Sequence, residues 1–265
     1  MTTVRDRLWM FSVEAGTNDT HYGIPLSRVT PVESCFYLDV PNTMVIVDAV
    51  RPIATDMYLR SMRPLDNIAW SIVDSGGVKG WANGRETEVI CDLSTRFPNL
   101  TGVYMDDFFN HNAKDGESGA IDLSGLEEVR RKIDMPHRRL DLWAVLYTHQ
   151  VDGDIERQLE LCDYVSYWTW HSAEIADWEK NLARLESRGV PADKISIGLY
   201  MWDYGGRKEL SVDLMKQQSL LALEWLKEGR VHNLAFLGSY LCDLDIPAVE
   251  WTREWVQTVK DIQLD

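Results

Sequence analysis

The sequence predicts an α/β protein in which eight strands alternate with eight helices and close into a single (β/α)8 TIM barrel. Three observations predict this fold. Apolar, β-rich runs recur along the chain, a helical pattern follows each of them, and 265 residues is a usual length for one such barrel. The runs are continuous rather than alternating, as expected for strands buried on both faces of a parallel sheet. We therefore expect residues 1–265 to form one barrel that carries the functional site.

The eight predicted strands are short, and polar loop residues follow each of them. They cover residues 8–13, 43–48, 68–73, 102–106, 142–147, 164–168, 195–200 and 234–239. An open, doubly wound sheet is the alternative arrangement, and it calls for a glycine-rich GxGxxG turn after the first strand. The sequence has no such turn there, which favours the closed barrel.

Several of the predicted helices carry their own start and stop signals. Residues 30–33 (TPVE) combine an N-cap threonine, a first-turn proline and an acid at the capping-box distance. Ser124 is the expected cap of a helix over 125–133, and a helix over 173–188 is expected to end at Gly189. Further helices are predicted over 54–63, 86–96, 154–162, 211–228 and 246–260.

Composition and charge narrow the functional classes. A net charge of −15 repels phosphate backbones, so nucleic acid is not an expected partner. No apolar run is long enough to span a bilayer, and the start of the chain lacks the hydrophobic core of an export signal. The four cysteines are far apart in the sequence, which indicates reduced thiols. We therefore expect a cytoplasmic protein without a membrane partner. Its oligomeric state is left open.

Polar and aromatic residues are concentrated where the predicted strands end. Barrel enzymes build their sites from the C-terminal ends of strands, so this concentration predicts a site on that rim. Tryptophan and tyrosine beside carboxylates also suit a sugar ligand. The expected substrate-binding residues are Glu14, Asp48, Arg51, Asp74, Tyr147, His149, Trp168, Trp170, Trp202, Tyr204 and Tyr240.

Some of these residues also have a structural interpretation. Glu14 and Arg51 are able to form an ion pair across neighbouring strands. Asp48 and Asp74 are able to cap turns, since aspartate is a common turn residue. The aromatic residues are able to plug the top of the barrel. These alternatives remain open at the level of the sequence.

Strand four ends in two adjacent acids, Asp106 and Asp107, followed by Asn110 and His111 after two phenylalanines. Charge at the end of a buried strand is costly unless it is solvated, paired or used. Strand alternation places Asp106 on the barrel interior, whereas Asp107 either reaches the site from the rim or anchors the loop. Neither turn chemistry nor a helix start requires two acids here. A carboxyl group beside a carboxylate keeps its proton more easily, which suits proton donation.

Two arrangements of carboxylates for glycoside hydrolysis remain open. In the first, Asp106 or Asp107 works with Asp203, which follows strand seven. In the second, the two neighbouring aspartates work together. One orients an acetamido group of the substrate as an internal nucleophile, and the other is the general acid.

An apolar fourth strand that ends in an acid pair resembles the barrel glycoside hydrolases. The Asp106-Asp107 doublet is similar to that of the family 84 hexosaminidases and, more loosely, to the strand-four acids of the family 18 chitinases. The DxxDxDxE pattern of family 18 is absent. The resemblance implies that Asp106 and Asp107 are catalytic. We therefore predict a glycoside hydrolase that acts on a small soluble glycoside or oligosaccharide by carboxylate general acid/base catalysis. No cofactor is expected, and no metal-ligating residue is assigned; a requirement for a metal ion is left open.

Two other functions fit the same strand ends. A non-catalytic carbohydrate-binding barrel would keep the tryptophans without needing the acids. A sugar isomerase or epimerase would hold a divalent cation with oxygen-rich ligands. The residues available for such a cation are Glu14, Asp48, Asp106, His149 and Asp203.

Overall fold

The structure is a computed structural model that describes residues 1–18, 20–75, 81–109, 121–136 and 138–264, while the side chain of Asp74 lies outside this description. Eight parallel strands form a closed barrel in chain order, with the eighth strand returning to pair with the first. This confirms the predicted fold. The barrel strands β1 to β8 are Leu8–Ser12, Asn42–Val47, Asn67–Asp74, Leu100–Met105, Asp141–Tyr147, Tyr164–Trp168, Ile195–Tyr200 and Asn233–Leu237.

Strand register brings the C-terminal strand ends to one rim. Tyr147 of β5 is the register partner of Trp168 of β6, and Tyr200 of β7 is the partner of Leu237 of β8. In a parallel sheet, partners at the same level present neighbouring side chains. The residues that end or follow the strands therefore meet around one opening.

Eight α-helices accompany the strands in the described part of the chain. Helices α1 to α8 are Pro31–Leu38, Asp56–Ser61, Glu86–Ser94, Leu123–Ile133, Glu156–Leu161, Trp178–Ser187, Val212–Lys227 and Pro247–Val259. The predicted capping box is present: the Thr30 hydroxyl accepts from the Glu33 amide at 3.3 Å, and the Glu33 carboxylate accepts from the Thr30 amide at 2.8 Å. None of the helices described is both long and apolar enough to cross a membrane.

Two helix starts differ from the prediction. Asp122, rather than Ser124, caps α4, and its carboxylate accepts from the Gly125 amide at 2.7 Å. A carboxylate caps well because its charge also interacts favourably with the helix N-terminus. The segment predicted as one helix over 173–188 is divided into a 3-10 helix, Ser172–Asp177, and α6. Its predicted end is confirmed, because Gly189 adopts a φ of +76° directly after it.

Aromatic side chains fill the barrel beneath the rim. Trp9 packs on Trp143 with ring centroids 4.8 Å apart, and Phe11 contacts the edges of Tyr104 and Trp168 at 6.2 and 5.7 Å. All five are buried. These contacts give the opening a rigid floor, because close-packed interiors deform little.

Gly198 in β7 provides the space for one of these rings. A Cβ atom at this position would lie 1.9 Å from Cε3 of Trp168, so only glycine fits beside the indole. The Trp168 indole N–H donates to the Ser166 hydroxyl at 2.9 Å. Trp168 is thereby fixed in orientation at the end of β6.

At the opposite end of the barrel, Asp141 begins β5 in a partly buried position. Burial raises its pKa to about 6, and the nearby carboxylate of Asp163 adds to the effect. The folded state therefore binds a proton more tightly than the unfolded chain, whose pKa is near the ordinary value of 3.8. Stability from this group is full below about pH 4 and falls as the pH rises to about 6.

We expect Asp141→Asn to stabilise the protein at pH 7. Removing the ionisable group removes a penalty of at most about 3 kcal/mol, reduced to roughly 1–2 kcal/mol by partial exposure to water. Urea unfolding at pH 4 and pH 7 measures this gain, which should appear only at the higher pH. Exposed Asp261, changed to asparagine, is the control. Equal or lower stability of Asp141→Asn at pH 7 would contradict the assignment.

Candidate active site

A cavity of about 270 Å³ opens at the rim where the C-terminal ends of the strands meet. Its volume is near the small end of the range for ligand pockets, about 300–1,000 Å³, and suits one small ligand group. Three carboxylates among the described residues line it: Asp48, Asp106 and Asp107. The aromatic residues in its wall are Phe11, Tyr22, Tyr147, Trp168, Trp170, Tyr200, Tyr204 and Tyr240.

The acid pair follows β4 and both of its members line the cavity. Asp106 is 6% exposed, whereas Asp107 is partly exposed. Consecutive residues of an extended strand face opposite sides. Asp107 instead adopts a φ of +44°, a left-handed conformation that is uncommon for a non-glycine residue and is often found at functional sites. The backbone turns at Asp107, and this turn allows both side chains to reach the same cavity.

The carboxylate of Asp107 is held by Tyr147, at the end of β5. The Tyr147 hydroxyl donates to Oδ1 of Asp107 at 2.7 Å. Burial holds the pKa of Tyr147 well above its usual value of 10, with Tyr200 and the two acids adding to the effect. Tyr147 is therefore a protonated donor at neutral pH. This hydrogen bond engages Oδ1 of Asp107, so Oδ2 is the carboxylate oxygen that Tyr147 does not use.

His149 supports Tyr147 and is not among the residues that line the cavity. Its ring stacks on the Tyr147 ring, with centroids 5.5 Å apart and planes only 5° from parallel. The neighbouring Gln150 accepts from the Tyr147 amide at 2.8 Å and donates to the Phe109 carbonyl. These contacts tie the loop after β5 to the loop that carries the acid pair.

Tyr200 ends β7 with a buried hydroxyl that has no hydrogen-bond partner within the described part of the chain. Burial raises its pKa well above 10, with Asp107 and Asp106 as the next causes, so the hydroxyl keeps its proton. Leaving a buried hydroxyl unpaired costs about 1–3 kcal/mol. Because Tyr200 lines the cavity, a ligand atom would satisfy this donor.

We expect Tyr200→Phe to weaken ligand binding by about 10-fold without loss of stability, because its hydroxyl bonds to no other group in the described part of the chain. Ligand titration by intrinsic fluorescence and thermal unfolding measure the two effects. Tyr167→Phe is the matched control: the Tyr167 hydroxyl donates to the Asn181 carbonyl at 3.1 Å, away from the cavity, so stability should fall while binding is kept. A destabilised Tyr200→Phe that binds normally would contradict the assignment.

Asp48 is the third carboxylate of the cavity and directly follows β2. It accepts a hydrogen bond from the Ser75 hydroxyl. Its backbone forms a tight turn with Arg51, in which the Asp48 amide donates to the Arg51 carbonyl at 2.7 Å and the Arg51 amide donates back at 3.0 Å. The turn points Arg51 outward, and the Arg51 side chain is 64% exposed.

Glu14 and Arg51 form the ion pair that the sequence left as an alternative, with Nε 3.5 Å from Oε2. Neither residue is among those lining the cavity. Four other residues predicted to bind substrate line the cavity: Trp168, Trp170, Tyr204 and Tyr240. The hydroxyls of Tyr204 and Tyr240 are 2.8 Å apart.

Asp203 and Trp202 are not among the described residues of the cavity wall. Oδ1 of Asp203 accepts from the Gly206 amide at 2.8 Å, and the Trp202 indole donates to the Tyr22 carbonyl at 3.1 Å. The structure thus brings the acid pair together with Asp48 and does not bring Asp203 to the same cavity. The candidates Asp74, Asn110 and His111 cannot be placed, since the side chain of the first and the whole of the other two lie outside the described residues.

Of the five residues considered for a divalent cation, Asp48 and Asp106 line the cavity, whereas Glu14, His149 and Asp203 do not. Within the described ranges, no three histidine, cysteine, aspartate or glutamate side chains are grouped in a way that would hold a metal ion. Glu14 pairs with Arg51, His149 stacks on Tyr147, and Asp203 closes a turn.

Several residues of the wall were not predicted, among them Tyr200 and Tyr22. Tyr200 is the last residue of a predicted strand, so the rule that selected its neighbours would also have selected it. Tyr22 lies ten residues beyond the end of β1, in a loop that carries no recognisable signal. Its ring contacts the edges of Trp170 and Tyr204, with centroids 5.8 and 5.4 Å away.

No family model and no curated protein matches the sequence, but solved structures match the fold. A family 18 N-acetylglucosaminidase from Paenibacillus barengoltzii has a TM-score of 0.61 and 12% identity over 96% of this chain and 99% of its own. A chitinase from Rhizomucor miehei has a TM-score of 0.58 and 10% identity over 94% and 99%. A chain of the tryptophan synthase complex of Pyrococcus furiosus has a TM-score of 0.51 and 11% identity over 98% and 99%. At such identities the similarity shows the barrel fold alone.

Proposed function

We propose that the protein is a glycoside hydrolase that acts on a small glycoside of an N-acetylhexosamine, with Asp106 and Asp107 as its catalytic pair. The observation that carries this proposal is that both adjacent carboxylates line one aromatic cavity at the C-terminal rim of the barrel. Aromatic rings offer stacking surface for the C–H faces of a sugar, and they exclude water from the reacting groups.

Asp107 is the general acid. It is the more exposed member of the pair. The glycosidic oxygen lies between the bound sugar and the leaving group at the outer side, so the more exposed carboxylate is the one that reaches it. Tyr147 engages Oδ1, so that Oδ2 is the oxygen that carries the proton. As the bond between C1 and the glycosidic oxygen breaks, Asp107 transfers this proton to the leaving oxygen.

Asp106 orients the acetamido group, deeper in the cavity. Its carboxylate accepts a hydrogen bond from the acetamido N–H, and the acetamido carbonyl oxygen then forms the bond to C1. In the second step Asp107 removes a proton from water, which attacks C1 and releases the carbonyl oxygen. Asp107 is thereby returned to its acid form, so protons and bonds balance over the cycle.

Three observations support this arrangement over a pairing with Asp203. The carboxylate of Asp203 is occupied by the Gly206 amide, outside the cavity wall. The Asp106-Asp107 doublet resembles that of the family 84 hexosaminidases. The structures of similar fold include an N-acetylglucosaminidase and chitinases, whose names refer to N-acetylated sugars or their polymers. In this arrangement the carboxylate of Asp48, which accepts a hydrogen bond from the Ser75 hydroxyl, binds a hydroxyl group of the sugar.

A panel of aryl glycosides tests the proposal. We expect aryl N-acetylhexosaminides to be hydrolysed, with and without EDTA, and the corresponding hexosides without the acetamido group to react far more slowly. Conversion of free sugars that EDTA abolishes and Mg²⁺ or Mn²⁺ restores would instead show a metal-dependent isomerase or epimerase. Sugar binding without turnover across the panel would show a binding protein.

A further inference from the structure

A short hairpin follows β7 and carries one wall of the cavity. Trp202–Asp203 pairs antiparallel with Lys208–Glu209, and Tyr204 lies in the turn between them. Tyr204 is buried and lines the cavity, and its hydroxyl is 2.8 Å from that of Tyr240. The position of this wall therefore depends on the geometry of the turn.

Asp203 closes the turn. Its Oδ1 accepts from the Gly206 amide at 2.8 Å, and the residue is 7% exposed. The contact is close enough that a Cβ atom on Gly206 would lie 2.3 Å from Oδ2 of Asp203. Glycine at this position and a short acceptor side chain at 203 are both required by the turn.

The loop after β1 rests on the same hairpin. The Trp202 indole donates to the Tyr22 carbonyl at 3.1 Å. A Cβ atom on Gly23, whose φ is +77°, would lie 3.0 Å from the Arg207 carbonyl oxygen, so the two backbones are in direct contact. Burial raises the pKa of Tyr22, and the next cause is the charge of Asp107, which places the Tyr22 hydroxyl in the field of the acid pair.

We propose that Asp203 is a positioning residue: it holds the turn of the 202–209 hairpin so that Tyr204 and, through Trp202, Tyr22 form the substrate-binding wall beside the acid pair. The coupling between hairpin and loop is a property of the folded chain. Only the identity of the ligand, an N-acetylhexosaminide, rests on the proposed function.

Three variants separate this role from that of a catalytic carboxylate. Asp203→Asn keeps an oxygen that accepts from the Gly206 amide but removes the charge. Asp203→Ala removes both the acceptor and the charge. Gly206→Ala keeps the carboxylate but forces it out of its place. Glu209→Gln, on an exposed position of the same hairpin, is the control for loss of a negative charge.

Hydrogen–deuterium exchange tests the coupling without any substrate. The amides of Thr20, His21 and Ile24 are hydrogen-bonded within the loop, so their exchange reports on its order. We expect Asp203→Ala and Gly206→Ala to speed exchange about 10-fold or more in both 20–24 and 202–209, and Asp203→Asn and Glu209→Gln to leave it unchanged. Unchanged exchange in 20–24 of the alanine variants would overturn the coupling, whether or not the protein hydrolyses any glycoside.

Kinetics test the role of Asp203. We expect Asp203→Ala and Gly206→Ala to raise KM by about 10-fold with kcat within about 3-fold, and Asp203→Asn to match the wild type. If Asp203→Asn lost kcat by about 1,000-fold with normal KM and normal exchange, Asp203 would be a catalytic carboxylate and the proposal would fail. If no glycoside is turned over, sugar titration of the same variants by tryptophan fluorescence gives the binding comparison.

Discussion

Asp107→Asn should lower kcat/KM for glycosides with poor leaving groups by about 1,000-fold, but only by about 10-fold for a dinitrophenyl glycoside. An alkoxide must be protonated as it leaves, whereas a dinitrophenolate leaves without a proton. Asparagine keeps the shape of the side chain and an oxygen that accepts from Tyr147. Initial rates with a methylumbelliferyl, a methyl and a dinitrophenyl glycoside measure the dependence on the leaving group.

A matched variant is Asp152→Asn, whose carboxylate is 77% exposed on the surface and should react like the wild type. Equal losses of kcat/KM on all three glycosides would show that Asp107 assists a step other than cleavage of the glycosidic bond. The role of general acid would then pass to another group.

Asp106→Asn should lower kcat by about 1,000-fold on every glycoside, whatever its leaving group. The carboxylate that accepts from the acetamido N–H increases the negative character of the attacking carbonyl oxygen. An amide in its place removes the charge, so bond formation to C1 is slowed even when departure is easy. The same three glycosides, with thermal unfolding as a check on folding, measure this effect.

The contrast between the two variants is the informative result. Loss of activity in Asp106→Asn that a dinitrophenyl leaving group restores would make Asp106 the acid, and the two roles would be exchanged. Wild-type rates in both variants would remove the acid pair from the mechanism altogether.

The location of the acid pair could be predicted because it follows from a simple pattern. A continuous apolar run has a defined end, and in a parallel barrel every such end lies on one rim. The same reasoning selected Asp48, Tyr147, Trp168 and Tyr240, which line the cavity, while their role in binding stays a prediction. Periodicity could not show that both acids reach the cavity, since this depends on the positive φ of Asp107.

The conformations of the loops between strands and helices could not be predicted from the sequence. Tyr22 is held at the cavity by a contact with a distant residue. The Trp202 indole, which lies 180 residues further along the chain, donates a hydrogen bond to the Tyr22 carbonyl. The assignment of Asp203 as a facing carboxylate assumed that the strand end points inward. The chain instead forms a hairpin there, in which the Gly206 amide donates a hydrogen bond to the Asp203 carboxylate. Such contacts depend on tertiary structure and have no local signature.

The most direct measurement of the central claim is the rate of hydrolysis as the N-acetyl group of the substrate is replaced by mono-, di- and trifluoroacetyl groups. Fluorine withdraws electrons from the carbonyl oxygen and makes it a poorer nucleophile. If the two neighbouring aspartates act with the acetamido group of the substrate, kcat/KM should fall stepwise, by about 100-fold or more over the series. A rate that does not change with fluorination would contradict the account and would point to a protein carboxylate in the cavity, Asp48, as the attacking group.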